Sequence, residues 1–148
     1  MAADPATMND PNLVKRLLAN AERLGANDLA LSCRRRLYEL AGQDYDDMLE
    51  RRLWQAVAAY EESLFRKHGK AQQASYTRRK IKAKGAIQTL TDWALDTKIT
   101  PGFEALIAEG LPEFTGEYVV VEFAHRFEPH VVEAARTRLR ARGYEFTN

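Results

Sequence analysis

Apolar residues recur along most of this chain at intervals of three and four, the spacing of helices that bury one side. The clearest run is Leu49, Leu53, Ala56, Val57, Tyr60 and Leu64, with Glu50, Arg51, Gln55, Glu61 and Glu62 on the other faces. It predicts a helix of about 22 residues, opened by the acids of residues 44–47, stopped at Gly69 and edged by Trp54. Upstream, Asp10-Pro11 combines an N-cap residue with the proline favoured at the first helical position. Leu13, Leu17, Leu18, Ala21 and Leu24 then give a stripe that ends at Gly25. Asn27 or Asp28 caps a second helix whose apolar residues are Leu29, Leu31, Cys33, Leu37 and Leu40, closed by Gly42. So short a gap predicts an antiparallel helical hairpin.

Downstream the pattern is more broken. Ser75 is a cap for a segment in which only Tyr76, Ile81 and Ala83 are apolar. Gly85 separates it from a stripe of Ile87, Leu90, Ala94 and Leu95 with Trp93 nearby, as a corner between two short helices or a weak point within one. Thr100-Pro101 starts a helix with Phe103, Leu106, Ile107 and Leu111 inside and Gly110 at its end. Residues 118–123 have strand propensity by residue type. No second strand exists for them to pair with, so a short helix or irregular segment is expected. Glu128-Pro129 opens the last helix, with Val131, Val132, Ala135 and Leu139 inside, Arg136, Arg138, Arg140 and Arg142 outside, and Gly143 as its cap. The expectation is all-α: a compact bundle of six to eight helices over residues 10–143. It would comprise an N-terminal hairpin, one long central helix and shorter C-terminal helices, between a disordered leader (1–9) and a tail (144–148).

Composition adds limits. In 148 residues, a hydrophobic content of 45% supports one domain with a real core. No apolar run approaches the roughly 18–20 residues needed to cross a bilayer, and the first twelve residues lack the basic and apolar regions of a secretory signal. The single cysteine, Cys33, can make no internal disulfide, which fits a cytoplasmic protein. Set in a helical pattern, it reads as a small buried hydrophobe rather than an activated thiolate.

Charge changes the picture more. The 29 residues from Ser63 to Thr91 hold no Asp or Glu but eight cations: Arg66, Lys67, Lys70, Arg78, Arg79, Lys80, Lys82 and Lys84. Of the 22 basic residues, 14 remain for the rest of the chain against all 21 acids, a balance of −7 there. A localised positive field points to a polyanion, most simply nucleic acid and first of all double-stranded DNA. The candidate contacts are Lys67, Lys70, Tyr76, Thr77, Arg78, Arg79, Lys80, Lys82 and Lys84. Arg78 and Arg79 suit bidentate contacts to phosphate or a guanine edge, and Tyr76 and Thr77 can donate to phosphate. The competing reading is a protein-interaction module, an adaptor or inhibitor docking an acidic partner surface. An ordinary solvated face paired with acids from other helices is the blander alternative. Arg34-Arg35-Arg36 is expected to point mostly outward as a second, smaller basic spot.

Catalytic chemistry finds no foothold. His125 and His130 flank Glu128 without the convergence a metal needs, and His68 ends a helix. Asp46-Asp47 and Glu61-Glu62 are adjacent in sequence and diverge on a helix. There is no glycine-rich phosphate loop. The aromatic residues Trp54, Trp93, Phe103, Phe114, Tyr118, Phe123 and Phe127 read as core, with Trp93 near the basic corner the one to examine for base stacking. No catalytic residue, cofactor or metal is assigned, and a homodimer is left open.

The segments Thr77-Arg78-Arg79-Lys80-Ile81-Lys82 through Trp93, Pro101-Gly102-Phe103 and Gly110-Leu111-Pro112-Glu113 resemble stretches of uncharacterised bacterial helical proteins from restriction and nuclease neighbourhoods. The likeness spans roughly the C-terminal half. It implies DNA as the partner and carries over no catalytic residue.

Overall fold

A computed structural model describes residues 4–69, 75–99 and 101–145. They form seven α-helices: α1 (Pro11–Arg23), α2 (Asn27–Ala41), α3 (Met48–His68), α4 (Ser75–Leu95), α5 (Pro101–Ala108), α6 (Gly116–Glu122) and α7 (Pro129–Arg140). Short 3-10 turns lie at Pro5–Thr7, Pro112–Phe114 and Ala124–Arg126, and there is no strand among the described residues. The architecture is therefore the all-α bundle expected, with α1 and α2 as its hairpin and α3 as its long helix.

The caps follow the chemistry of the sequence. Asp10 accepts from the Asn12 N–H at 2.9 Å and Asp47 from the Glu50 N–H at 3.0 Å, each satisfying an orphan donor of a helix start. Gly69 ends α3 in the left-handed conformation. α2 departs from expectation: neither Asn27 nor Asp28 caps it. Ala26 holds that position without a side-chain bond, and both polar residues lie in the first turn. The stripe of α1 is also rotated. Val14, Leu18 and Ala21 are buried, whereas Leu13 and Leu24 are exposed, because α2 meets α1 one residue further round.

α2 is two-sided. Ala30, Cys33 and Leu40 pack into the hairpin core with Val14, Leu18 and Ala21. Tyr38 points to the other side, into a cluster with Ala59, Leu106, Leu111 and Phe114, and meets the Phe114 ring edge-on at 5.1 Å. Cys33 is fully buried, and burial raises its thiol pKa, the setting of an inert apolar side chain. The basic run beside it does not face outward as expected. Arg34 pairs with Glu109 at 3.1 Å, Arg35 with Glu113 at 2.8 Å, and Arg36 with Glu39 while also donating to the Met8 carbonyl. These cations tie α2 to the segments around α5 and to the chain preceding α1. The periodicity explains Arg34, which lies in line with Ala30 and Tyr38 on adjacent turns.

The main core joins Leu49, Leu53 and Val57 of α3, Leu90 and Ala94 of α4, Phe103 of α5, and Val131, Val132, Ala135 and Leu139 of α7. At its centre is α6, whose Val119, Val120 and Val121 are all buried. β-Branched residues are mediocre helix formers. Here, with no strand to join, the segment closes its own hydrogen bonds as a helix and buries most of its sides, leaving Glu122 exposed. Thr115 caps it by accepting from the Tyr118 N–H, and Gly116 gives it room, since a Cβ there would sit 2.5 Å from Trp93 Cε3. Arg52 fastens α3 to this region: it pairs with Glu122 at 2.8 Å, donates to the Glu113 carbonyl and lies over the Phe114 ring.

Candidate functional site

Two features of the fold have the means to bind something: the outer side of α4 before Gly85, and a cavity behind it. Gly85 makes the corner. Its φ of 87° and ψ of 172° break the helix in a conformation that L side chains avoid. The fully buried Thr89 hydroxyl donates back to the Gly85 carbonyl at 2.8 Å. Of the two arrangements the sequence allowed, the chain adopts the corner between two helical pieces.

The first piece is held at two points. Arg78 donates Nε and one Nη to the two carboxylate oxygens of Glu61 on α3, at 2.8 and 2.7 Å. Its guanidinium also lies 5.4 Å over the Trp54 ring, which stacks on Tyr45. This fork is the strong form of a charge-assisted hydrogen bond and raises the Arg78 pKa further. Lys80 reaches across the corner to Asp92 at 2.6 Å, and Gln88 donates to the same carboxylate. The Lys80 hydrogen bond, with that of Gln88, holds the Asp92 carboxyl below its ordinary range. Thr77 is buried against the bundle.

The nine candidates named from the sequence thus separate. Arg79, Lys82 and Lys84 are exposed, and none has an ion pair within 4 Å among the described residues. Tyr76, 72% exposed, lies on the same helical piece. Arg78 and Lys80 are held by acids, and Thr77 is inside. Lys70 and the side chain of Lys67 lie outside the described residues. The aromatic ring under the Arg78 guanidinium is Trp54, and Trp93 lies on the cavity side with Thr77 and Lys80. Trp54, Tyr45, Arg78, Ile81 and Lys82 line a groove of about 410 Å³.

The cavity, about 420 Å³, opens between α3, α4, α5, α6 and α7. Its rim includes the exposed Tyr76, Leu95 and Asp96. Its walls include Tyr60, Trp93, Phe103 and Leu106, and deeper in lie Glu117 and Arg138. Glu117 is 6% exposed. Arg138 comes no nearer to it than 3.7 Å and gives its Nη1 to the Trp93 carbonyl at 2.9 Å. Burial outweighs this incomplete pairing and pushes the Glu117 carboxyl up to about 7. Arg138 was expected on the outer face of the last helix, but only 14% of its side chain is exposed. A local signal existed: Arg138 falls seven residues after Val131 and three after Ala135, on the buried stripe. Nothing local marks Glu117, whose charged partner, Arg138, comes from α7.

Among the described residues, no group of three His, Cys, Asp or Glu side chains gathers as a metal site requires, and no helix is long and apolar enough to cross a membrane. No family model, curated protein or solved structure matches the chain.

Proposed function

We propose that this protein binds nucleic acid, double-stranded DNA first, without catalysis of its own, through the outer side of α4. The observation that carries the reading is the state of Arg79, Lys82 and Lys84, three exposed cations without ion pairs among the described residues. They stand on a helical piece braced by Arg78–Glu61 and Lys80–Asp92. Phosphate contact needs cations that reach several sites along a backbone and a rigid element that presents them together. Arg78 and Lys80 are positioning residues in this arrangement, a narrower role than the sequence suggested. Tyr76 supplies a hydroxyl and a ring beside the cations.

The test is fluorescence anisotropy of the full chain with labelled duplex DNA, single-stranded DNA and RNA across a salt series. With three phosphate contacts, log K should fall against log salt with a slope of about −2 to −3. The variant Arg79→Ala/Lys82→Ala/Lys84→Ala should abolish most of that slope. Absence of binding to all three at low salt overturns the reading and favours the alternative use of these cations, an acidic surface on a protein partner.

A further inference from the structure

The cavity behind α4 meets that proposed surface at Tyr76 and Lys80 but is lined by none of Arg79, Lys82 and Lys84, and its chemistry is of the opposite sign. Its wall carries three carboxylates, Asp92, Asp96 and Glu117, against two cations, Lys80 and Arg138. Lys80 and Asp92 neutralise one another at 2.6 Å. Arg138 is divided: its Nη1 is bonded to the Trp93 carbonyl, and its contact with Glu117 is long. What remains is a deep carboxylate with acceptor capacity to spare and a second acid, Asp96, exposed at the rim. Between the two acids the walls are aromatic, formed by Tyr60, Trp93 and Phe103. A buried carboxylate with so weak a partner disfavours folding, and such groups concentrate where a ligand completes them.

We propose that this cavity binds a small organic cation of the amidinium or guanidinium type, its planar charged head on the Glu117 carboxylate and its body against Tyr60, Trp93 and Phe103. The head group matches the acceptor because a carboxylate takes two parallel N–H donors, and the 3.7 Å approach of Arg138 falls short of such a close fork. The aromatic walls favour the flat cation by cation–π attraction, and Asp96 favours its entry. The volume, about 420 Å³, falls in the size class of small-ligand sites. A simple carboxylate or phosphate ligand would meet a net negative wall and is disfavoured.

The probe is benzamidine, titrated into the full-length chain and followed by NMR at the Trp93 indole N–H and the Gly116 and Glu117 amides. Benzoate, of like shape and opposite charge, is the control. Saturable shifts at those three positions are expected with benzamidine and not with benzoate. Glu117→Gln should weaken binding about tenfold or more, as loss of a charge-assisted pair does. Asp96→Asn, an exposed change that leaves the interior untouched, should weaken it roughly two- to threefold. The site has its own pH signature. Lys80, Asp92, Asp96, Arg138, Tyr60 and Tyr76 are the other ionisable groups on the wall, and Glu117, with its carboxyl near 7, must ionise before it pairs. Affinity should therefore rise between pH 5.5 and 8. No saturable shift with benzamidine up to about 10 mM, a range in which fragment-sized ligands are detected, overturns the proposal. So does equal binding of benzoate, or undiminished binding in both variants. None of these outcomes bears on the DNA reading, whose carrying cations, Arg79, Lys82 and Lys84, do not line the cavity.

Discussion

Residues 34–36 on α2 and residues 78–84 on α4 are both dense in cations, and the fold treats them in opposite ways. Arg34, Arg35 and Arg36 each meet an acid: Glu109, Glu113 and Glu39. Two of these acids come from the C-terminal half, so the run works as a clasp between the hairpin and the segments around α5. In the second run, among the described residues, only Arg78 and Lys80 are paired, with Glu61 and Asp92, and three of the five cations stay exposed. A run of like charge in a sequence is a quantity of charge. Whether it becomes a field depends on how many acids the tertiary structure brings to it. The first run is nearly cancelled where it stands, and the second keeps a surplus of exposed cations on a braced helix.

The largest effects should come from exchanging the two runs in one pair of experiments. Arg34→Ala/Arg35→Ala/Arg36→Ala strands three part-buried acids at roughly 1–3 kcal/mol each, so a loss of about 4 kcal/mol in urea unfolding is expected. DNA affinity of the surviving folded fraction should not change. Arg79→Ala/Lys82→Ala/Lys84→Ala should do the reverse, leaving unfolding within about 0.5 kcal/mol of the parent, as surface changes do. Its affinity for duplex DNA should drop by about 100-fold at low salt. If both variants lose affinity alike, or both lose stability alike, the contrast between the runs is broken.

Glu117 sharpens the contrast from the acidic side, as a charge buried without adequate pairing. Its folded-state carboxyl stands near 7, above its ordinary value of 4.5, with burial the main cause. The folded state therefore holds the proton more tightly than the unfolded chain. This group's contribution to stability is fully present below about pH 4.5 and is lost as pH rises to about 7, some 3 kcal/mol in all. Unfolding free energy measured from pH 5 to 8 should show that decline. Glu117→Gln should flatten it, and an unchanged slope in the variant would remove Glu117 as its source.

Much of the fold was legible because helix signals are local. The caps at Asp10 and Asp47, the glycine stops and the stripe of Val131, Val132, Ala135 and Leu139 lie within a turn or two of what they govern. For residues 118–123 elimination reached only a short helix or irregular segment, since a lone strand has nothing to bond to, and the fold makes 116–122 a helix. What escaped was set at a distance. Leu13 and Leu24 left the stripe of α1 because α2 decides which side of α1 is inside. Arg34 and Arg138 were placed outside for being charged, although the apolar residues one turn away marked both positions as inner. The basic piece of α4 could be found from its lack of acids, but not which cations Glu61 and Asp92 would take. The cavity, assembled from five helices, left no trace in any one segment.

Arg78 lies between the two behaviours, a cation in the basic piece that acts as a clasp. Arg78→Ala removes the fork to Glu61 and the contact with Trp54. A loss of about 1–2 kcal/mol is expected, tempered by partial exposure of the pair. Arg78→Lys keeps the charge without the planar fork and should recover less than half. If lysine restores stability fully, charge alone holds α4 to α3. DNA affinity should fall only severalfold in either variant, through loosening of the helix that carries Arg79, Lys82 and Lys84.

The smallest effect carries the most pointed sign. Asp92→Asn removes the acid that holds Lys80 across the Gly85 corner. The pair is part-buried, with 15% of the Lys80 and 32% of the Asp92 side chain exposed, and Gln88 and the cavity remain to solvate what is left, so its loss should cost about 1 kcal/mol. Most substitutions near a binding surface weaken binding. This one releases a cation beside three others, and DNA affinity should rise by roughly two- to threefold while the slope of log K against log salt steepens by up to about 0.9, one phosphate contact. A fall in affinity would mean that Asp92 matters to binding through the angle of the corner rather than through the charge it cancels. An unchanged slope would mean that Lys80, once freed, does not reach the phosphate path. In that case Lys80 would be kept apart from Arg79, Lys82 and Lys84 by its place on the helix, toward the cavity, whatever acid stands opposite.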